Sequence, residues 1–189
     1  VTDPAHAPRV GSGSRAEGPP ISGSSPGVAG RRVLLLSGPN LDLLGERQPE
    51  IYGRERLADH VARAAAAARV LGLALSSAQH TDEASLVRAV QHARHEADAL
   101  VVNAGALTHY SWALADALAA FAGPKVELHL SHPEAREPWR HTSVLASVVD
   151  GTIAGFGGIG YALAMHAVSA LLGTGAGATD GGGADVGGG

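Results

Sequence analysis

The chain has 189 residues, a formal net charge of -4, ten histidines and no cysteine, with 45% hydrophobic and 17% charged residues. That composition suits one soluble globular domain and excludes disulfides, thiolate metal sites and cysteine nucleophiles. No apolar run reaches the ~18 residues that span a bilayer, and the mild acidity leaves no basic footprint for nucleic acid, so a cytoplasmic protein is expected.

Residues 1–30 are rich in Gly, Ser, Pro and Ala without apolar periodicity, and they read as a disordered extension lacking the h-region of a signal peptide. The sequence starts on Val1, which suggests a non-ATG start codon or a true start further downstream. Val33-Leu34-Leu35-Leu36, closed by Gly38-Pro39, fits a parallel strand buried on both faces. Leu57 to Leu71 is Ala-rich with apolar spacings of three and four, a helix ending near Gly72. Leu73 to Ser77 is a second strand, and Thr81 or Asp82 can cap a helix to about Ala97 with Leu86, Val87 and Val90 inward. Ala99 to Val102 is a third strand ending at Asn103, Ser111 to Phe121 a helix, and Val126 to Leu130 a fourth strand. Thr152-Ile153-Ala154 is a fifth strand before a helix from about Ile159 to Leu172, and residues 173–189 read as a flexible Gly-rich tail. The working domain is therefore residues 31–172.

Strands alternating with helices imply a parallel sheet covered on both faces, with ligands bound outside the carboxyl ends of its strands. Polar clusters follow the strands as that rule requires: Ser37 to Asn40, Asn103 to His109, and Ser131 to Arg140. In the fourth strand Glu127, His129 and Ser131 share one face by alternation. Either they are buried and used, or this is an edge strand with one wet face. The segment from Ser37 to Gly53 is long for a strand-to-helix connection and carries Arg47 and Tyr52 five residues apart. A phenol, titrating ordinarily near pH ~10, needs a cation beside it to act as a base. Taken alone, the two could equally be a solvated charge and a packing side chain.

Four ordered blocks make the pattern more specific. They are Gly38-Pro39-Asn40-Leu41 with Leu44-Gly45, Arg47, Pro49 and Ile51-Tyr52-Gly53; Asn103 to His109 with Ser111 and Asp116; Glu127 to Ser131 with Ala135-Arg136-Glu137 and Arg140; and Gly155-Phe156-Gly157 with Gly160-Tyr161. Together they resemble the signature of type II 3-dehydroquinate dehydratases across nearly all of residues 31–172. The resemblance implies a flavodoxin-like fold with a five-stranded parallel sheet and helices on both faces. It also implies a cofactor-free, metal-free trans-elimination of water from 3-dehydroquinate through an enolate, a step of the shikimate pathway. By motif position Tyr52 would take the C2 proton, with Arg47 favouring its phenolate from the same lid. Asn40 would hold the water on the enolate oxygen, and His129, oriented by Glu127, would protonate the departing C1 hydroxyl. Asn103, His109 and Arg140 would bind substrate hydroxyls, the amides of Leu130 and Ser131 the carboxylate, and Asp116 would reach a neighbouring subunit's site. A homo-oligomer, a dodecamer built from trimers, is implied as well.

The pattern departs from the family at Ser37, where Asn is usual, and at His132, Glu134 and Pro138-Trp139, on what would be the hydroxyl and carboxylate side of the pocket. Gly155 to Gly160 satisfies G-x-G-x-x-G, but no second strand with a ribose-binding acid follows, so close backbone packing explains it better than a dinucleotide. Glu127, His129 and His132 lack a third metal ligand at a defined spacing, and His92 and His95 read as a wet helix face. Lys125, the only lysine, stands at the amino end of its strand, which disfavours imine chemistry. A non-catalytic member binding quinate-like ligands, or serving as an assembly unit, is the alternative; the complete acid-base set argues against it.

Overall fold

The computed structural model describes residues 30–46 and 49–174, so the expectations for residues 1–29 and 175–189 lie outside the described residues. Five strands, β1 (Arg32–Ser37), β2 (Ala74–Gln79), β3 (Ala99–Asn103), β4 (Lys125–His129) and β5 (Gly151–Ala154), form one all-parallel sheet in the order β2-β1-β3-β4-β5. This is the flavodoxin-like arrangement. The connections from β1 run first to β2 and then back across to β3, which opens a crevice at the carboxyl ends of β1 and β3.

The helices are α1 (Pro49–Tyr52), α2 (Leu57–Val70), α3 (Glu83–Glu96), α4 (Trp112–Ala119) and α5 (Ile159–Thr174). Strand alternation divides the core in two. Val33, Leu35, Val101, Val126 and Leu128 pack against Ala64 and Ala68 of α2 and Ala164, Met165 and Val168 of α5. Leu34, Leu36, Leu100 and Val102 face Leu86 and Val90 of α3 and Leu114 and Leu118 of α4. Each such fully buried aliphatic side chain contributes about 1.5–3 kcal/mol. Of the two candidate caps before α3, Asp82 takes the role, accepting from the Ser85 amide at 2.8 Å. Ser111 caps α4, accepting from the Leu114 amide at 3.1 Å while its hydroxyl donates to Glu83 of α3.

Two glycine positions shape the crevice. A Cβ on Gly38 would stand 2.5 Å from the Ala104 carbonyl oxygen, so only glycine lets the exits of β1 and β3 lie this close. The turn from β5 into α5 uses left-handed backbone at Gly155 (φ 84°) and Gly157 (φ 55°), and a Cβ on Gly158 would collide with Arg63 and stand 2.7 Å from His60 Nδ1. Close packing against α2 accounts for Gly158, and the left-handed turn for Gly155 and Gly157.

The wet-edge alternative for β4 is overturned. β5 pairs along Val126 to His129, and Glu127 is 0% exposed, because the short fifth strand and the segment around Val144 and Leu145 cover it.

Candidate active site

A cleft lies at the carboxyl ends of β1, β3 and β4. Its walls include Asn40, Tyr52, Asn103, His109, His129, Leu130, Ser131 and Arg140, eight of the eleven residues singled out from sequence. Glu127 sits directly behind His129. Asp116 is exposed on α4 and does not line the cleft of its own chain, and Arg47 lies outside the described residues.

Asn40 adopts φ 66°, the left-handed region that Asn tolerates better than most side chains. The strain follows from the turn that Gly38 and Pro39 impose after β1, and it brings Asn40 to the cleft. At the end of β3, Asn103 is almost fully buried; its Oδ1 accepts from the Gly105 amide at 3.3 Å and its Nδ2 donates to the Tyr161 hydroxyl at 3.4 Å. Tyr161 is itself fully buried, its ring stacked on His60 at 5.1 Å between centroids. Burial pushes its phenol up to about 12, against the opposing pull of hydrogen bonds with Asn103 and Ser37. Tyr161 therefore remains neutral at physiological pH and serves as a fixed dipole beneath Asn103. Ser37 belongs to this buried layer and does not line the cleft.

On β4 the Glu127 carboxylate accepts from His129 Nε2 at 2.9 Å and from the Ser143 hydroxyl at 2.9 Å on both oxygens. Ser143 Oγ also accepts from the amides of Leu145 and Ala146, each at 3.1 Å, so its one hydrogen must point at Glu127. Burial pushes the Glu127 carboxyl up, but the hydrogen bond and charge of His129, with Ser143, outweigh it and hold it below its ordinary value. An ionised carboxylate thus fixes Nε2 of His129 as a donor and leaves Nδ1 for chemistry in the cleft.

Tyr52, from the short helix α1, meets an arginine that sequence reasoning quoted but gave no role. Arg136 Nη1 donates to the Tyr52 hydroxyl at 2.5 Å and to Ser131 Oγ at 3.2 Å, and its guanidinium lies 5.3 Å from the Tyr52 ring centre. The Arg136 side chain is only 11% exposed. The guanidinium thus holds the Tyr52 hydroxyl at the cleft wall beside Ser131. The available signal was an arginine in the loop that follows the carboxyl end of β4, but loop reach has no period from which to read a partner.

The departing residues lie off the cleft wall. His132 and Glu134 pair with each other at 2.8 Å with both side chains more than half exposed. Neither they, Ser37 nor Pro138 lines the cleft.

A guanidinium-bound tyrosine and a carboxylate-backed histidine, gathered where a flavodoxin-like sheet ends, define an α/β enzyme of the general acid-base class. The family model described as Dehydroquinase class II matches residues 31–169. A 3-dehydroquinate dehydratase of Dinoroseobacter shibae is 47% identical over 140 residues, covering 74% of this chain and 93% of the relative. A catabolic 3-dehydroquinase of Aspergillus clavatus is 46% identical with the same coverage. The crystal structure of the type II dehydroquinase from Propionibacterium acnes superposes with a TM-score of 0.71 at 39% identity, covering 74% of this chain and 97% of that one. The protein belongs to the class II dehydroquinase family.

Proposed function

We propose that the protein is a hydro-lyase that dehydrates 3-dehydroquinate to 3-dehydroshikimate, a step of the shikimate pathway. The observation that carries this reading is the pair of contacts in one cleft, Arg136 on Tyr52 and Glu127 on His129. Tyr52, as phenolate, removes a proton from C2, and the released electron pair moves onto the C3 carbonyl oxygen. Asn40 holds a water against that enolate oxygen. Collapse of the enolate expels the C1 hydroxyl, which takes a proton from Nδ1 of an imidazolium at His129 and leaves as water. The ionised Glu127 supports the doubly protonated ring. Asn103, His109 and Arg140 bind the ring hydroxyls and the amides of Leu130 and Ser131 the carboxylate; their shared place in the cleft walls supports this. Arg47 assists Arg136 in favouring the Tyr52 phenolate, the role its motif position implies.

The chain assembles as trimers packed into a dodecamer, with Asp116 reaching a neighbour's cleft. Supporting this, Tyr110, Trp112, Phe156 and Ile159 are all at least 60% exposed, a large apolar cost for an isolated subunit. Among the described residues no helix is long and apolar enough to cross a membrane.

The test is absorbance of the conjugated enone after adding purified protein to 3-dehydroquinate, with chelator and borohydride controls. A signal that survives both controls and vanishes in Tyr52→Phe, with the assembly intact by light scattering, is the expected result. Turnover by Tyr52→Phe near the wild-type rate would remove Tyr52 as the base.

A further inference from the structure

Two cleft-lining side chains, His109 and Arg140, come from different loops, one after β3 and one after β4. Each is tied by one polar contact. His109 Nδ1 donates to the Thr142 carbonyl at 2.7 Å, and Arg140 Nε donates to Glu137 at 2.8 Å. The Thr142 contact and the Val144 amide, which donates to the Thr108 carbonyl at 2.9 Å, join the two loops at the backbone. The direct link between the two side chains is made by Trp139. The Arg140 guanidinium lies over its ring at 3.9 Å, and the His109 ring meets it edge-on at 5.3 Å and 86°.

The indole does not line the cleft, and it is 54% exposed, so core packing does not explain its position. Its two contacts follow from the electrostatics of an aromatic ring. The negative face attracts the guanidinium, and edge-on approach is the favourable geometry for a second ring. With its Nδ1 hydrogen committed to Thr142, neutral His109 keeps Nε2 as an acceptor, whereas Arg140 only donates. An acceptor and a donor held at a fixed separation suit a ring bearing adjacent hydroxyls, because one hydroxyl can donate to the imidazole while another accepts from the guanidinium.

We infer that Trp139 is a positioning residue for substrate recognition, holding His109 and Arg140 in the arrangement that reads the hydroxyls of the substrate ring. The inference rests on the dehydratase reading but concerns binding and not proton transfer. Trp139 touches none of the reacting groups, so its loss acts on KM and leaves the acid-base chemistry of Tyr52 and His129 in place.

The experiment is steady-state kinetics on Trp139→Ala, Trp139→Leu and Trp139→Phe across a range of pH, with assembly checked by light scattering. Losing two exposed aromatic contacts corresponds to about a tenfold rise in KM. The expected result is that rise in Trp139→Ala and Trp139→Leu, with kcat within about threefold and an unshifted pH profile, and restoration by Trp139→Phe. Leucine keeps apolar bulk without a π face, so it carries the test if the alanine variant fails to assemble. A leucine variant with wild-type KM, a loss confined to kcat, or a folded phenylalanine variant no better than leucine would overturn the inference. Should wild-type protein yield no enone, the dehydratase reading falls separately, and calorimetric affinity for 3-dehydroquinate then decides the role of Trp139 by the same comparison.

Discussion

Replacing Glu127 with Gln swaps a buried carboxylate for an amide of the same shape, and the surrounding hydrogen bonds set the consequence. Ser143 has no acceptor capacity left, because the amides of Leu145 and Ala146 occupy both lone pairs. If the amide oxygen keeps the His129 contact at 2.9 Å, the Ser143 hydroxyl can donate only to that same oxygen, now uncharged, and the new NH2 group faces a Ser143 Oγ whose lone pairs are taken. If the amide flips, it faces His129 Nε2 instead. Either way one hydrogen bond to a charged group, worth about 1.5–3 kcal/mol, is lost at a side chain that is 0% exposed. The variant should unfold in urea with a stability about 3 kcal/mol lower than wild type. Its kcat should fall by about 10²–10⁴ with little change in KM, because an imidazolium at His129 loses its counter-charge. Ser143→Ala removes the opposing donor, so in the double variant the two costs should be non-additive by about 1–2 kcal/mol. A Glu127→Gln protein with wild-type urea midpoint and kcat within threefold, or a strictly additive cycle, would refute the argument that an ionised Glu127 organises the acid.

Arg136→Met keeps side-chain length and removes the charged donor to Tyr52; kcat should fall by about 10–100-fold, the worth of one charge-assisted hydrogen bond, while an unchanged kcat would leave Arg136 a merely structural residue. His60 is 1% exposed, and burial lowers its imidazole below the ordinary histidine range against the pull of Glu55. A group whose folded value is lowered contributes stability that is present above the unfolded value, ~6.5 for histidine, and is lost as pH falls below it. The urea midpoint of wild type should therefore drop between about pH 7 and pH 5, and that of His60→Leu should drop less; equal slopes would exclude His60 as a source. Gly38→Ala forces a Cβ to within 2.5 Å of the Ala104 carbonyl, so stability should fall by about 1–3 kcal/mol, and an unaltered melting curve would count against the close approach of β1 and β3.

What could be read from the sequence follows from what has a period. The apolar runs of β1 and β3 and the alternation in β4 placed Glu127 and His129 on a shared face before any coordinates, and both are buried as an acid-base pair. Whether β4 was an edge could not be read, since β5 is four residues with only Ile153 strongly apolar, and pairing of so short a strand is decided by neighbours far along the chain. Arg136 was given no role, and Trp139 was marked only as a departure on the hydroxyl side of the pocket, for a related reason. Both sit in the irregular segment after β4, where direction is set by the 3-10 turns Pro133–Ala135 and Pro138–Arg140 and not by a repeat. The weight first given to Ser37, His132 and Glu134 came from sequence adjacency to the site, and adjacency along a loop does not fix which side chains turn inward.

Helix α5 packs on α2, roughly a hundred residues earlier in the chain, and delivers Tyr161 beneath Asn103. A ribosome releases these elements in order, so β1, β3 and β4 emerge while Val33, Val101, Val126 and Leu128 lack half of their cover. During that interval the nascent chain presents three apolar strands to chaperones and to other unfinished copies. Because the dipole under Asn103 arrives with the same helix that seals the core, a chain interrupted before residue 159 has neither a closed interior nor a finished cleft, and completion of the catalyst coincides with its escape from aggregation.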